Sequence, residues 1–276
     1  MNKIVYTTKP KPDSLPGFWE PGFSPFEKPK HIKYKELKGF TQGQACILEN
    51  AFTKTECETL IRFMFQSPNF EPVGVQGMMD KKDEIMGSMR TSIWCPEIAE
   101  MIWDRLRIYL PEYEFGDDAE LVATDWWQHI VDPKKGFNPD SGDGYWCASP
   151  VAISPLLRFM KYQNEGQHYA HYDASFIYPD HNFRSFKSMV IYLTTNEGAA
   201  TRFIKDGQQN VPIWERKHED WSRPVNEDEI IAKSECIQGN VLFFDHRICH
   251  DVQQYFGTED RVIIRGDVIY EMYLDE

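Results

Sequence analysis

The hydrophobic period changes once along this 276-residue chain, at Pro155. Beyond it, LLRFMKY, SMVIYLT, ATRFI, NVLFFD and RVIIRGDVIY are short β-branched and aromatic runs bounded by Gly, Asn and Asp. Read at a period of two, they are strands with one face against a core. Before Pro155 the pattern is helical. ACILENAF reads as a short strand, and Thr53-Lys54-Thr55-Glu56 then has the form of a capping box, with Thr53 as N-cap and Glu56 at N3. Cys57, Leu60, Ile61 and Met64 follow at i, i+3, i+4 and i+7, one apolar stripe. A second helix is expected to open at Pro96, bury Ile98, Met101, Ile102, Leu106 and Tyr109, and stop at Pro111. Helices followed by a run of strands predict an α+β fold built on a β-sandwich or jelly roll.

Residues 1–40 hold six of the 17 prolines and eight Lys against four Asp and Glu. They are expected to form an irregular arm, with the domain proper spanning 41–276. Two segments interrupt the pattern. One is 114–150, with Trp126, Trp127 and Trp146; the other is the polar stretch 206–235. Both are expected to be long loops or lids. The formal charge of −13 argues against a nucleic-acid backbone as partner and favours neutral or cationic substrates. No apolar run is long enough to span a membrane, and the first residues lack a leader's apolar stretch, so a cytoplasmic protein is expected. Six cysteines without a CxxC pair fit free, mostly buried thiols in a reducing compartment. Oligomeric state is left open.

His171-Tyr172-Asp173 follows the strand LLRFMKY. In an extended chain the imidazole and the carboxylate point to one face. His250, after the strand NVLFFD, is the candidate third ligand, with His246 of the same parity as the alternative. Two His and one carboxylate on one side of an ion form the facial triad of non-haem Fe(II) oxygenases. A second match, His218-Glu219-Asp220, lies in the polar run ERKHEDWSR and is read as solvated surface. Arg261 opens the last strand and is placed to grip a carboxylate bidentately; Arg265 shares its parity as the understudy.

LRFMKYQNEGQHYAHYD, SMVIYLT, GAATRF and GNVLFFDHRICHDVQQYFGTEDRVIIRGDVIYE, in that order, resemble the core of the prolyl 4-hydroxylase-like branch of the 2-oxoglutarate/Fe(II)-dependent dioxygenases, over about residues 156–271. Upstream, ENAFTKTECETLI resembles the family's opening strand and helix, and Arg90-Thr91-Ser92 its Arg-x-Ser segment. The resemblance implies a double-stranded β-helix (a cupin-like jelly roll) supported by N-terminal helices. It implies Fe(II) on His171, Asp173 and His250, and 2-oxoglutarate as cosubstrate with its far carboxylate on Arg261. Tyr162 and Tyr192 map to strand positions that reach 2-oxoglutarate, and Tyr169 to the substrate side of the metal. It further implies O2 as oxidant and ascorbate as reductant. Where collagen-type prolyl hydroxylases have Lys, this chain has Arg261. Where the family reads Gly-Gly-x-Thr, it has Gly198-Ala199-Ala200-Thr201. An Asp at 173 rather than a small residue favours hydroxylation over halogenation.

Arg90, Tyr169 and Trp127 are the substrate-contact candidates, with Trp126 and Trp146 beside them. The two long segments favour a free amino acid or other small metabolite over a protein. A peptidyl-prolyl hydroxylase is the alternative activity. A non-catalytic jelly-roll binding module and a zinc or nickel cupin with other chemistry are the alternatives of another class.

Overall fold

The computed structural model describes residues 31–40, 43–65, 70–73, 88–111, 114–117, 145–163, 165–173, 183–205, 225–246 and 248–274. The elements are β1 (Lys33–Glu36), β2 (Ala45–Glu49), α1 (Lys54–Phe65), β3 (Glu71–Pro72), β4 (Ser88–Trp94), α2 (Pro96–Leu106), β5 (Glu114–Asp117), β6 (Tyr145–Ile153), β7 (Leu156–Tyr162), β8 (His168–His171), β9 (Phe183–Tyr192), β10 (Asn196–Ile204), β11 (Ile230–Cys236), β12 (Val241–Asp245), β13 (His250–Val252) and β14 (Arg261–Leu274). They form two antiparallel sheets. The larger runs β1-β2-β12-β9-β14-β7-β4-β3, with β6 on the later part of β14 and β5 on β6; the smaller runs β11-β10-β13-β8. From β7 to β14 the chain deals four strands to each sheet, β12-β9-β14-β7 to one and β11-β10-β13-β8 to the other. That winding is a double-stranded β-helix.

Strict alternation along the strands gives the larger sheet two apolar faces. Its inner face (Met160, Tyr162, Val190, Tyr192, Leu242, Phe244, Ile263) meets Ala199, Phe203 and Val252 of the smaller sheet. Its outer face (Leu157, Phe159, Met189, Ile191, Phe243, Ile264) is covered by Cys57, Leu60, Phe63 and Met64 of α1 and Ile98, Ile102 and Leu106 of α2. The helices therefore brace the sheet from behind and leave its inner face for chemistry.

The expected cap at α1 forms. The Thr53 N–H donates to Glu56 Oε2 at 2.7 Å, and the Glu56 N–H to Thr53 Oγ1 at 3.2 Å. The same buried Glu56 carboxylate takes both arms of Arg105 from α2, at 2.9 and 2.8 Å, so one side chain caps α1 and ties it to α2. A close approach joins α1 to the β-helix. Gly239, in the β11–β12 turn, has φ +85°, and its carbonyl accepts from the Phe52 N–H at 2.9 Å; a Cβ there would sit 2.2 Å from the Phe52 carbonyl oxygen.

Four local expectations are revised. Lys33–Glu36, inside the proposed arm, pair with β2, because Tyr34 and its neighbours find an open sheet edge. Both ends of the 114–150 segment are strands, β5 and β6, on an extension of β14. The 206–235 segment closes in a 3-10 turn at Glu227–Glu229 and runs into β11, whose alternating exposed residues mimic a loop in composition. Met101 and Tyr109 are only half-buried, since α2 ends at Leu106 and passes into a 3-10 turn that rotates Tyr109 off the stripe. Cys46, Cys57, Cys95, Cys236 and Cys249 are buried free thiols; burial pushes Cys57 up to about 12 and Cys95 up to about 11. No helix among the described residues is long and apolar enough to cross a membrane.

Candidate metal centre

β8 and β13 are antiparallel neighbours with His171 directly opposite His250, which places the two imidazoles 4.3 Å apart, centroid to centroid. Asp173 follows β8 by two residues. Its carboxylate lies 3.9 Å from His171 Nε2 and 3.7 Å from His250 Nε2, and the ligand atoms of the three residues all fall within 4.8 Å of one another. Each imidazole is oriented from behind: His171 Nδ1 lies 2.7 Å from the Tyr169 carbonyl, and His250 Nδ1 lies 3.0 Å from that of Ile248. A carbonyl only accepts, so it fixes the proton on Nδ1 and leaves the Nε2 lone pair facing Asp173. Burial, and then the neighbouring His171, push His250 down to about 3, so it is a neutral donor at physiological pH. Phe244, 4.5 Å away, packs against its ring.

Asp173 is held from the larger sheet. Arg265 Nη2 stands 3.0 Å from Oδ1, and the Ser188 hydroxyl donates to Oδ2. Burial opposes the charge, but Arg265, His250 and His171 outweigh it and keep the carboxyl well below the usual range. Two imidazoles and one anionic carboxylate on a single side make a donor set suited to a divalent transition ion, with the other side left to exogenous ligands.

The second feature is a buried cation. Arg261 is fully buried at the start of β14, opposite Tyr162 of β7, with its guanidinium 4.8 Å from the centre of the Tyr162 ring. Nη2 is 3.5 Å from Thr201 Oγ1, while Nε and Nη1 have no hydrogen-bond partner among the described residues. The Tyr192 hydroxyl lies 3.0 Å from both Thr201 Oγ1 and Ser234 Oγ, bridging the two sheets beside Arg261. A buried guanidinium with two idle nitrogens, Nε and Nη1, is costly unless an anion completes it. Tyr162, fully buried, feels the charges of both Arg261 and Asp173, so the buried arginine and the triad carboxylate lie in one electrostatic neighbourhood.

Two expectations are corrected here. Arg265 is not an understudy for Arg261: both of its arms are engaged by the chain's own carboxylates, Asp173 and, at 3.1 Å, Asp267. His246 is not a triad member: its Nε2 faces Asp267 at 3.4 Å, because β12 ends at Asp245 and the turn carries His246 back onto the larger sheet. Arg90 lies half-buried on β4, opposite Met160. Tyr169 supplies its carbonyl to His171, and its side chain is half-buried. Trp127, Trp126 and the His218–Asp220 motif lie outside the described residues, as does the Trp146 side chain. The sequence reading passed over Ser188, Thr201, Ser234 and Asp267. Asp267 shares the parity of Arg261 and Arg265, a usable signal; for the two serines no signal exists in the chain itself. The missing second glycine is harmless: Gly198 alone takes the left-handed φ of +74°, and Ala199 is a buried core residue of β10.

No protein-family model matches the sequence, and no curated protein matches it. Among solved structures, the chain is similar to a viral collagen prolyl hydroxylase from Paramecium Bursaria Chlorella virus-1 in its 2OG complex (12% identity, TM-score 0.41, covering 83% of this chain and 97% of that one). It is also similar to a Pseudomonas putida prolyl-4-hydroxylase (14%, 0.45, 82% and 93%) and to HygX from Streptomyces hygroscopicus with nickel and 2-oxoglutarate bound (12%, 0.44, 84% and 84%).

Proposed function

We propose that this chain is an Fe(II)- and 2-oxoglutarate-dependent dioxygenase that hydroxylates an unactivated C–H bond of a free amino acid or other small metabolite. One observation carries the reading: a one-sided His171, Asp173, His250 donor set adjoins a fully buried Arg261 whose Nε and Nη1 lack partners. A metal alone needs no such arginine; a metal-chelating dicarboxylate needs both features.

Iron, held by His171, Asp173 and His250, would supply O2 activation, coupling loss of CO2 from 2-oxoglutarate to placement of one oxygen atom in substrate and the other in succinate. The chain does the rest. His171 and His250 present Nε2, each oriented by a backbone carbonyl. Asp173 stays anionic under Arg265 and Ser188. Arg261 offers its idle Nε and Nη1 to the far carboxylate, and Tyr162 supports the guanidinium face. Tyr192 lies beside this pocket rather than in it: its hydroxyl is taken up by Thr201 and Ser234, so it positions Thr201. The polar, charged character of the inner face next to the triad suits a small polar substrate better than an apolar peptide groove.

The test is an anaerobic titration of apo-protein with Fe(II) and 2-oxoglutarate, following the visible charge-transfer band of the chelate. The band forms in the wild type, is lost in His171→Ala and in His250→Ala, and needs roughly ten- to a hundredfold more 2-oxoglutarate in Arg261→Ala. Metal binding without any band refutes the reading. Succinate release then ranks free amino acids against proline-containing peptides as substrates.

A further inference from the structure

We propose that the substrate carries a carboxylate and that Arg90 grips it; this deepens, and rests on, the dioxygenase reading above. The inner face of the larger sheet holds more guanidinium than carboxylate beside the triad. β4 pairs with β7 in the register Ser88–Tyr162, Arg90–Met160, Ser92–Arg158, and β7 with β14 in the register Tyr162–Arg261, Met160–Ile263, Arg158–Arg265. Directly opposed residues point to the same side. Arg90 therefore shares the inner face with Met160 and Tyr162. It stands one row from Arg261, towards the row in which Arg265 reaches Asp173.

Of the three guanidiniums in these rows, on β4, β7 and β14, two reach the buried carboxylates. Asp267 holds Arg158 at 2.9 Å and Arg265 at 3.1 Å, and Asp173 holds Arg265 at 3.0 Å. The Arg90 guanidinium makes no hydrogen bond or ion pair with any described residue. Glu71, directly opposite on the edge strand β3, shares the inner face, but it is exposed and attracts Arg90 without an ion-pair contact. Burial, then repulsion from Arg158 and Arg265, pull the Arg90 guanidinium below its usual range. Ligation of a metal takes up the Asp173 charge and deepens the local surplus. Arg261 accounts for the far carboxylate of 2-oxoglutarate, so the cation left over belongs to the substrate. The charge of −13 over the whole chain favoured neutral or cationic substrates; the local field reverses that preference. A planar fork on the inner face, two strands from the Arg265 that holds Asp173, would recognise a carboxylate bidentately and orient the rest of a small acid toward the triad.

The test uses the full chain loaded with Ni(II) and 2-oxoglutarate, which binds without turnover. The probes are the L-amino acids and small mono- and dicarboxylic acids, each beside its amide, scored by thermal shift and then titration. The expected result is that one or more acids bind at least about tenfold more tightly than their amides. Arg90→Gln removes that preference, and Arg90→Lys restores part of it by keeping the charge without the fork. Equal binding of acid and amide, a preference that survives Arg90→Gln, or no binding by any carboxylate overturns the proposal. The anaerobic Fe(II) charge-transfer band, recorded on the same variants, separates the two readings. A normal band without acid preference refutes only the carboxylate assignment. Arg90-dependent acid binding without a band refutes the dioxygenase and leaves the anion site standing.

Discussion

Arg265 shows how far a side chain's job departs from its parity. It lies two inner-face positions from Arg261, yet it serves the protein's own carboxylates, and its contact with Asp173 is the closest ion pair the proposed metal ligands make. Removing it frees the Asp173 carboxylate to rotate and to protonate. Arg265→Met is expected to weaken Fe(II) or Zn(II) binding about ten- to a hundredfold in a chelator competition. Unchanged affinity would show that Ser188 and the chain trace orient Asp173 unaided. Asp267 carries the pH dependence of the same cluster. Burial opposes its charge, but Arg265, His246 and Arg158 outweigh it and hold its pKa below the usual carboxylate range. A carboxylate depressed in the folded state contributes stability that is present above its unfolded pKa, near 3.9, and is lost as pH falls toward the folded value. Asp267→Asn should therefore cost about 3–5 kcal/mol at pH 7, where Arg158 and Arg265 lose a shared partner. It should also flatten the loss of stability on acidification below about pH 4. Urea melts at pH 7 and pH 3.5 measure both; an unchanged pH slope in the variant refutes the assignment.

At the scale of elements, the helices and the β-helix meet through a few polar fastenings set in an apolar interface. Glu56 is the principal one, buried, capping α1 through Thr53 and receiving both arms of Arg105. Glu56→Ala leaves Arg105 charged and half-satisfied in an apolar setting and should cost about 3–5 kcal/mol. The double replacement Glu56→Met with Arg105→Met should cost much less than the sum of the single changes, because it removes the desolvation penalty together with the attraction. A double-mutant cycle from urea melts decides this, and additive losses would mean that the pair is not coupled. Both halves of this fastening were visible as types in the sequence, a capping-box Glu and an Arg in the last turn of α2. Their meeting depends on the angle at which α2 crosses behind the sheet, which no local pattern encodes.

For the molecule as a whole, the candidate metal site spans sequence positions that come together only when the β-helix closes: His171 and Asp173 near β8, His250 on β13 and Arg265 on β14. Metal binding at this site would accordingly be linked to folding. Zn(II) at about a hundred times its dissociation constant should add about 2.7 kcal/mol to the unfolding free energy of the wild type. His171→Ala should keep the apo-protein stability and lose that increment, since its imidazole packs mainly against His168 and His250 rather than in the apolar core. Calorimetry with and without metal tests it, and a metal-induced shift that persists in His171→Ala would place the ion elsewhere.

The sequence by itself determined that helices precede the strands, where α1 and α2 begin, the capping box of α1, the strands β7, β9, β10, β12 and β14, and the His171, Asp173 and His250 candidates. Each of these is written in local periodicity or in a short spacing. Only the tertiary structure decided that Lys33–Glu36 and Tyr145–Ile153 extend the sheet, that Arg265 and His246 face Asp267, and that Thr201 and Ser234 meet at Tyr192. The same holds for Arg90, which has no ion-pair partner among the described residues. The physical reason is that alternation states which residues share a face of one strand, whereas register between strands and the closure of one sheet on the other state which faces meet. Those are set by the packing of the whole core, and a chain read one segment at a time does not contain them.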